Sequence, residues 1–299
     1  MHSTPGPCGL GVRQDGGATS ELARRWQDEL RPIKITRVMS QPYYVWLAAV
    51  SLPFIAFERL APRRPDQRFW RPGLVTDWVY FVLNGHFLGV ALAVASAPLV
   101  TYLEDLARAR GFHDVLWASS LHGMNPILQF VIALLMTDFV QWSVHNALHR
   151  IPFLWEFHKV HHSIVDMDFW GSLRFHWMEP VLYKTAQFLP LAWMGADPDV
   201  MLAVAVAGTV IGHMNHANVN ISFGPLAYIL NSPRMHVWHH AHPDAGPTDR
   251  NFGITLAIWD WVFGTAYLPA DPPSRLGFAD IEHFPTDLPR QELWPIRTP

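Results

Sequence analysis

The sequence predicts an all-α fold: an integral membrane bundle of about four to five membrane helices, with a cytoplasmic helical cap holding a His-rich site for two metals. Three observations predict it. Apolar runs of membrane length recur along the chain. Hydrophobic residues make up 50% of the 299 residues and charged residues only 16%, where soluble domains carry about 25% charged residues. Histidines at helical spacing fall in repeated clusters, mostly outside the apolar runs.

Four regions supply the runs. The first, about residues 42–57, reads "PYYVWLAAVSLPFIAF". The second spans about 75–103 and the third about 126–148. The fourth covers 181–216 and is broken by "GADPD" at 195–199, which splits it into a helical hairpin. The alternative is a set of core helices in a soluble protein. The second and third runs are longer than most globular helices, which disfavours it. The 14 Trp and 18 Phe, many near run ends, suit membrane–water interfaces. Arg59, Arg63, Arg64, Arg68 and Arg71 place the loop after the first run in the cytoplasm. The loop 104–124 has compensating charges and lies outside. The third run returns to the cytoplasm, and the hairpin goes out and back, so every histidine cluster faces the cytoplasm. The first run has basic flanks on both sides. It fits either an interfacial segment or a chain that starts at Met39.

Composition excludes several classes. A net charge of -3 with neutral histidines excludes a nucleic-acid binder, which carries a basic excess. Cys8 is the sole cysteine, so a disulfide framework and a cysteine zinc site are excluded. A metal must be held by histidine or carboxylate. Residues 1–37 are rich in Gly and Pro and read as a poorly ordered segment, not a secretory signal. Membrane helices and the basic loop occupy 38–124, a histidine-bearing domain 125–267, and a tail 268–299.

Two histidine triplets repeat one pattern. "HKVHH" places His158, His161 and His162, and "HVWHH" places His236, His239 and His240. Ser232 and Pro233 mark the start of the second box as a helix, and Pro152 that of the first. Both read as short helices at the cytoplasmic surface. Positions i, i+3 and i+4 share a helix face, so each triplet presents its rings one way. "HNALH" adds His145 and His149 at i, i+4. One zinc takes about four ligands, so eight imidazoles imply two metals. Imidazole suits zinc, copper, iron and nickel. Soluble di-iron bundles use Glu and Glu-x-x-His pairs; that motif is absent here, so the ligand set is all nitrogen. Iron permits oxygen chemistry, while ligand type leaves zinc open. Ligation needs neutral imidazole, so activity should fall as pH drops toward and below about 6.5. Asp138, an ionisable residue inside an apolar run, reads as functional. At roughly 10 Å along the helix from His145, it supports the site rather than ligating. His213, one turn before His216, could join the site. His242 reads as a rim residue, and its "HPDAG" context resembles a haem motif without a surrounding haem domain. His2, His86, His113, His122 and His283 are not expected to be ligands.

The strings "DFVQWSVHNALHRIPFLWEFHKVHHS", "RFHWMEP", "HANVNISFGPLAYILNSPRMHVWHH" and "NFGITLAIWDWVFGTAY" resemble the fatty acid hydroxylase/sterol desaturase superfamily, membrane-bound di-iron oxygenases with three histidine boxes. The resemblance spans about residues 125–267, with some likeness to the alkylglycerol monooxygenase branch. It implies that His145, His149, His158, His161, His162, His236, His239 and His240 are metal ligands and that His216 is a ninth. It also brings Asp138, His176 and Glu179 to the site as supporting residues, although Trp177 stands where the family has proline. It implies O2-dependent hydroxylation or desaturation of a lipid C–H bond on a fatty acyl, sterol-like or ether lipid. Two iron ions would be the cofactors. Electrons would come from a separate protein, since no flavin, ferredoxin or cytochrome b5 domain is visible. Two other classes compete. One is a membrane-embedded zinc hydrolase with Glu179 as general base. The other is a metal-handling membrane protein, whose ligands would be spread along a pathway.

Overall fold

The computed structural model describes residues 43–112 and 121–296. The expected segment 1–37 and the alternative start at Met39 lie outside the described residues, as do His2 and His113. Within them the chain is all-helical, with ten α-helices and no strand. They are α1 (Tyr43–Leu60), α2 (Leu74–Val82), α3 (Leu88–Ala109), α4 (Pro126–Arg150), α5 (Pro152–His162), α6 (Met178–Trp193), α7 (Pro198–His216), α8 (Pro233–His239), α9 (Ile258–Val262) and α10 (Leu288–Leu293).

Local chemistry sets the boundaries that matter for the site. Asn125 caps α4 by accepting the Ile127 amide at 2.9 Å, with Pro126 in the first turn. The "GADPD" turn separates α6 from α7 as the sequence predicts. Asp197 accepts the Asp199 amide at 2.9 Å and Pro198 opens α7. Ser232 caps α8 by accepting from Met235 N at 3.3 Å. The 75–103 run is one helical path, but a π-helical turn at Leu83–Phe87 divides α2 from α3. Among the described residues, α4 alone is long and apolar enough to cross a membrane, with mean hydropathy 1.6.

Helices α4, α6 and α7 pack around Ala133, Leu191, Val200 and Val204. Polar side chains inside this trio satisfy one another. Gln187 donates to Gln141 Oε1 at 2.7 Å and to the Thr137 carbonyl at 3.2 Å, and Gln129 accepts the Asp197 amide at 3.0 Å. In a separate cluster, Val160 of α5 packs with Tyr80 of α2 and with Phe278 and Phe284 from the C-terminal region.

Arg71 differs from its expected role as a free loop charge. It is buried and pairs with Asp168 at 2.6 Å and Asp77 at 2.7 Å, while Arg174 pairs with the other oxygen of Asp77 at 2.5 Å. A buried guanidinium needs such partners because desolvation of an unpaired charge costs several kcal/mol (roughly).

Candidate metal centre

Each histidine reaches the centre from a helix end. His145 and His149 occupy the last turns of α4, and His158, His161 and His162 those of α5. His216 ends α7, while His236, His239 and His240 lie on or just after α8. The structure brings all nine together in two groups. One comprises His145, His149, His158, His162 and His239, the other His161, His216, His236 and His240; within each, one nitrogen per ring lies within 4.8 Å of the rest. The groups abut, the rings of His162 and His240 stacking at 4.5 Å. Eight of the nine rings are buried, so the boxes lie inside the fold and not on its surface.

The two triplets do not each point one way. Each splits, with its i and i+4 rings in one group and its i+3 ring in the other. Helix geometry explains this. At about 100° per residue, i+4 lies roughly 40° to one side of i and i+3 roughly 60° to the other. A triplet is therefore a wedge that can feed two points. The α5 box gives two rings to the first group and one to the second, and the α8 box does the reverse.

Hydrogen bonds to Nδ1 test whether these residues fit a metal. Backbone carbonyls accept from Nδ1 of His145 (Phe252, 2.7 Å), His161 (Arg174, 3.1 Å), His216 (Gly212, 2.8 Å) and His239 (Arg250, 2.8 Å). A carbonyl cannot donate, so each Nδ1 carries the proton and each neutral ring leaves Nε2 bare. Yet Nε2 of His161 lies 3.3 Å from Nε2 of His216. Two bare lone pairs facing each other have no proton to share. Nε2 of His149 and both nitrogens of His240 are buried without a partner. A cation bound by these nitrogens removes both the repulsion and the unpaired atoms, so the residues fit metal ions held through imidazole. Burial, reinforced by repulsion between the rings, holds His158, His161, His162, His236, His239 and His240 well below the usual 6.5. They are therefore neutral and ready to ligate at pH 7. The acid limit on ligation lies lower than free imidazole suggests.

The supporting residues take distinct places. Glu179 accepts from His158 Nδ1 at 2.7 Å, the carboxylate–histidine contact that orients a metal-binding ring. Asp138 stays away from the rings. It accepts from the amides of Thr255 and Leu256 and from Trp259 Nε1 at 2.9–3.3 Å, anchoring the loop whose Phe252 carbonyl holds His145. His176 belongs to neither group; its Nε2 donates to the Glu292 carbonyl at 3.0 Å, tying down α10. His213 lies outside both groups as well and bonds Ser172 Oγ at 2.7 Å. His242 accepts the Asp244 amide at 3.2 Å. His122 and His283 are exposed.

Sequence reasoning missed Asp260. Its carboxylate accepts from Phe252 N, Gly253 N, Trp142 Nε1 and Thr265 Oγ1 at 2.6–3.0 Å. Asn251 also escaped notice; it ties the α8 carbonyl of Met235 to that of Tyr267, both at 2.7 Å. The available signal was an acid flanked by two tryptophans in "WDW", since a lone charge in an apolar string must find buried donors.

A cavity of about 170 Å³ opens from the centre. His145, His158, His161 and His216 line one end, and Leu134, Phe188 and Val204 lie toward the other ends of α4, α6 and α7.

Residues 130–265 match the fatty acid hydroxylase family model, and all nine clustered histidines fall within them. Over that span the chain is similar to the fatty acid hydroxylase family. An ornithine lipid hydroxylase of Rhizobium tropici is 28% identical to this chain over 239 residues, 79% of the chain and 71% of that protein. Human alkylglycerol monooxygenase is 29% identical over 133 residues, 44% of the chain and 29% of that protein. Sphinganine C4-monooxygenase 2 of Arabidopsis thaliana is 26% identical over 144 residues, 47% of the chain and 54% of that protein. The chain thus spans much of the first relative and less than two thirds of the other two. No solved structure matches it.

Within the matched residues, Glu179→Gln should keep the volume beside His158 and lose the charge. Metal affinity should fall by about 10–100-fold, as read by competition with a chromogenic chelator. Unaltered affinity would mean that Glu179 does not orient His158.

Proposed function

We propose that this protein is a membrane-bound di-iron oxidoreductase that hydroxylates or desaturates a lipid C–H bond, using O2 and electrons from a separate redox protein. The observation that carries this reading is the pair of abutting all-histidine groups at one end of a cavity that turns apolar away from them. When bound, the two irons would supply O2 activation strong enough to oxidise an unactivated C–H bond. The chain's residues do the rest. The nine imidazoles hold the metals, five rings on one side and four on the other. Glu179 orients His158, and backbone carbonyls fix four more rings. Asp138 and Asp260 clamp the loop 252–256 against α4 and so fix the wall above His145. The apolar part of the cavity takes the hydrocarbon chain and keeps water from it. The names of the relatives, which act on ornithine lipid, alkylglycerol and sphinganine, support a long-chain substrate with a polar head.

Membrane placement rests on α4. Only 22% of its most apolar window is buried, and Ile127, Val131, Leu135 and Phe139 form an exposed row at i, i+4 spacing. Exposed Phe263, 6.4 Å from Phe139, extends that row past the helix. This surface suits lipid contact. The remaining arginines of the 59–71 loop orient the metal centre to the cytoplasm.

Two observations count against the competing classes. Glu179 bonds His158 through Nδ1, on the far side of the ring from the ligating nitrogen, where it cannot serve as base to a metal-bound water. The nine rings gather at one place and are not spread along a transmembrane path.

Lipids extracted from cells with and without the gene, grown under 18O2, test the proposal. Hydroxylation adds one heavy oxygen to a gene-dependent lipid, and desaturation removes two hydrogens without label. A zinc-loaded protein with turnover independent of O2 would overturn it.

A further inference from the structure

Lys184 lies on the wall of the same cavity, on α6. Helix spacing separates two rows there. Glu179, Tyr183 and Gln187 are buried toward the metal centre and α4, whereas the side chain of Lys184 is exposed along the cavity. Among the described residues it makes no hydrogen bond or ion pair; the Phe188 ring, 5.4 Å from Nζ, is the neighbour that meets its charge. The one carboxylate on the cavity lining is Asp138, and the amides of Thr255 and Leu256 and the Trp259 indole already occupy it. A lysine charge within an apolar helical run is costly unless it finds a partner or reaches the interface. A lysine serving only as an interfacial anchor would stretch away toward the headgroups. Lys184 instead faces a cavity that offers it no counter-ion. Apolar wall at Phe188 and Val204 continues beyond it, away from the histidines.

We propose that Lys184 is an anion-binding subsite of this cavity, which holds the carboxylate or phosphate of a lipid while the hydrocarbon chain lies along the apolar wall. This rests on the reading of the cavity as a lipid site. It does not require that the metals be iron or that O2 be used. Lys184 thus serves as a specificity residue: it selects lipids with an anionic group against neutral lipids of equal chain length.

The test is binding to the full-length, metal-loaded protein in an uncharged detergent, with hexadecanoate, hexadecyl phosphate and hexadecanol as probes. The wild type should bind one of the anions at least about ten-fold more tightly than the alcohol, a difference of about 1.4 kcal/mol. The preferred anion distinguishes a carboxylate from a phosphate ligand. Lys184→Met should lose that preference while keeping its affinity for hexadecanol and its metal content; Lys184→Arg should retain the preference. Equal affinity of the wild type for the three probes, absence of binding, or a preference that survives in Lys184→Met would overturn the assignment. The wild-type comparison stands even if the methionine variant fails to fold. Because binding is read without turnover, an anion preference in a protein that oxidises no lipid would refute the enzymatic reading and leave the subsite intact.

Discussion

Replacing His236 by alanine is expected to cost the protein one of the two proposed metals and nearly all turnover. His236 belongs to the four-ring group with His161, His216 and His240. Its loss leaves three imidazoles, fewer than the about four ligands a stable closed site provides. Turnover should fall by more than the 10–100-fold typical of losing a residue that only orients a ligand (roughly). His161→Ala should behave alike, because it depletes the same group. His239→Ala should be milder in metal retention, since His145, His149, His158 and His162 remain. His283→Ala, at an exposed position, should leave metal content and turnover unchanged. Metal analysis of the purified variants reads this directly. Equal metal loss in His236→Ala and His239→Ala would refute the five-and-four division.

Asp260→Ala should have the largest effect on stability. The carboxylate is fully buried and satisfies two backbone amides, an indole and a hydroxyl. Removing it leaves three buried donors and the part-buried Trp142 indole unpaired, each buried donor costing about 1–3 kcal/mol when no water replaces the acceptor. Even with relaxation the loss should exceed about 3 kcal/mol, a large part of a typical domain's stability. Because Phe252 lies in the released segment and its carbonyl holds His145, metal affinity should fall with thermal stability. Chelator competition and thermal unfolding, followed together, check the coupling. A variant that unfolds at the wild-type temperature would show that Asp260 does not bear the loop.

Much of this was legible in the sequence because it depends on spacing. Imidazoles at i, i+3 and i+4 must share a helix side, and Pro152, Ser232 and Pro233 mark where those helices begin. The hairpin at 195–199 was equally plain, since Asp197 and Pro198 form a helix start after a glycine. The division of each triplet between two groups was not legible. A wedge of rings can converge on one point or on two, and the choice depends on how α5 and α8 cross. Contacts from distant residues were also hidden. The bonds from His161 Nδ1 to the Arg174 carbonyl and from Arg71 to Asp168 join residues brought together only by folding. Arg71 therefore read as a loop charge, although the structure buries it in an ion pair.

Anomalous scattering from crystals of the purified protein, recorded on both sides of the iron absorption edge, bears most directly on the paired centre. Two iron peaks are expected, one among His145, His149, His158, His162 and His239, the other among His161, His216, His236 and His240. A single peak, peaks away from these rings, or a signal at the zinc edge alone would contradict it.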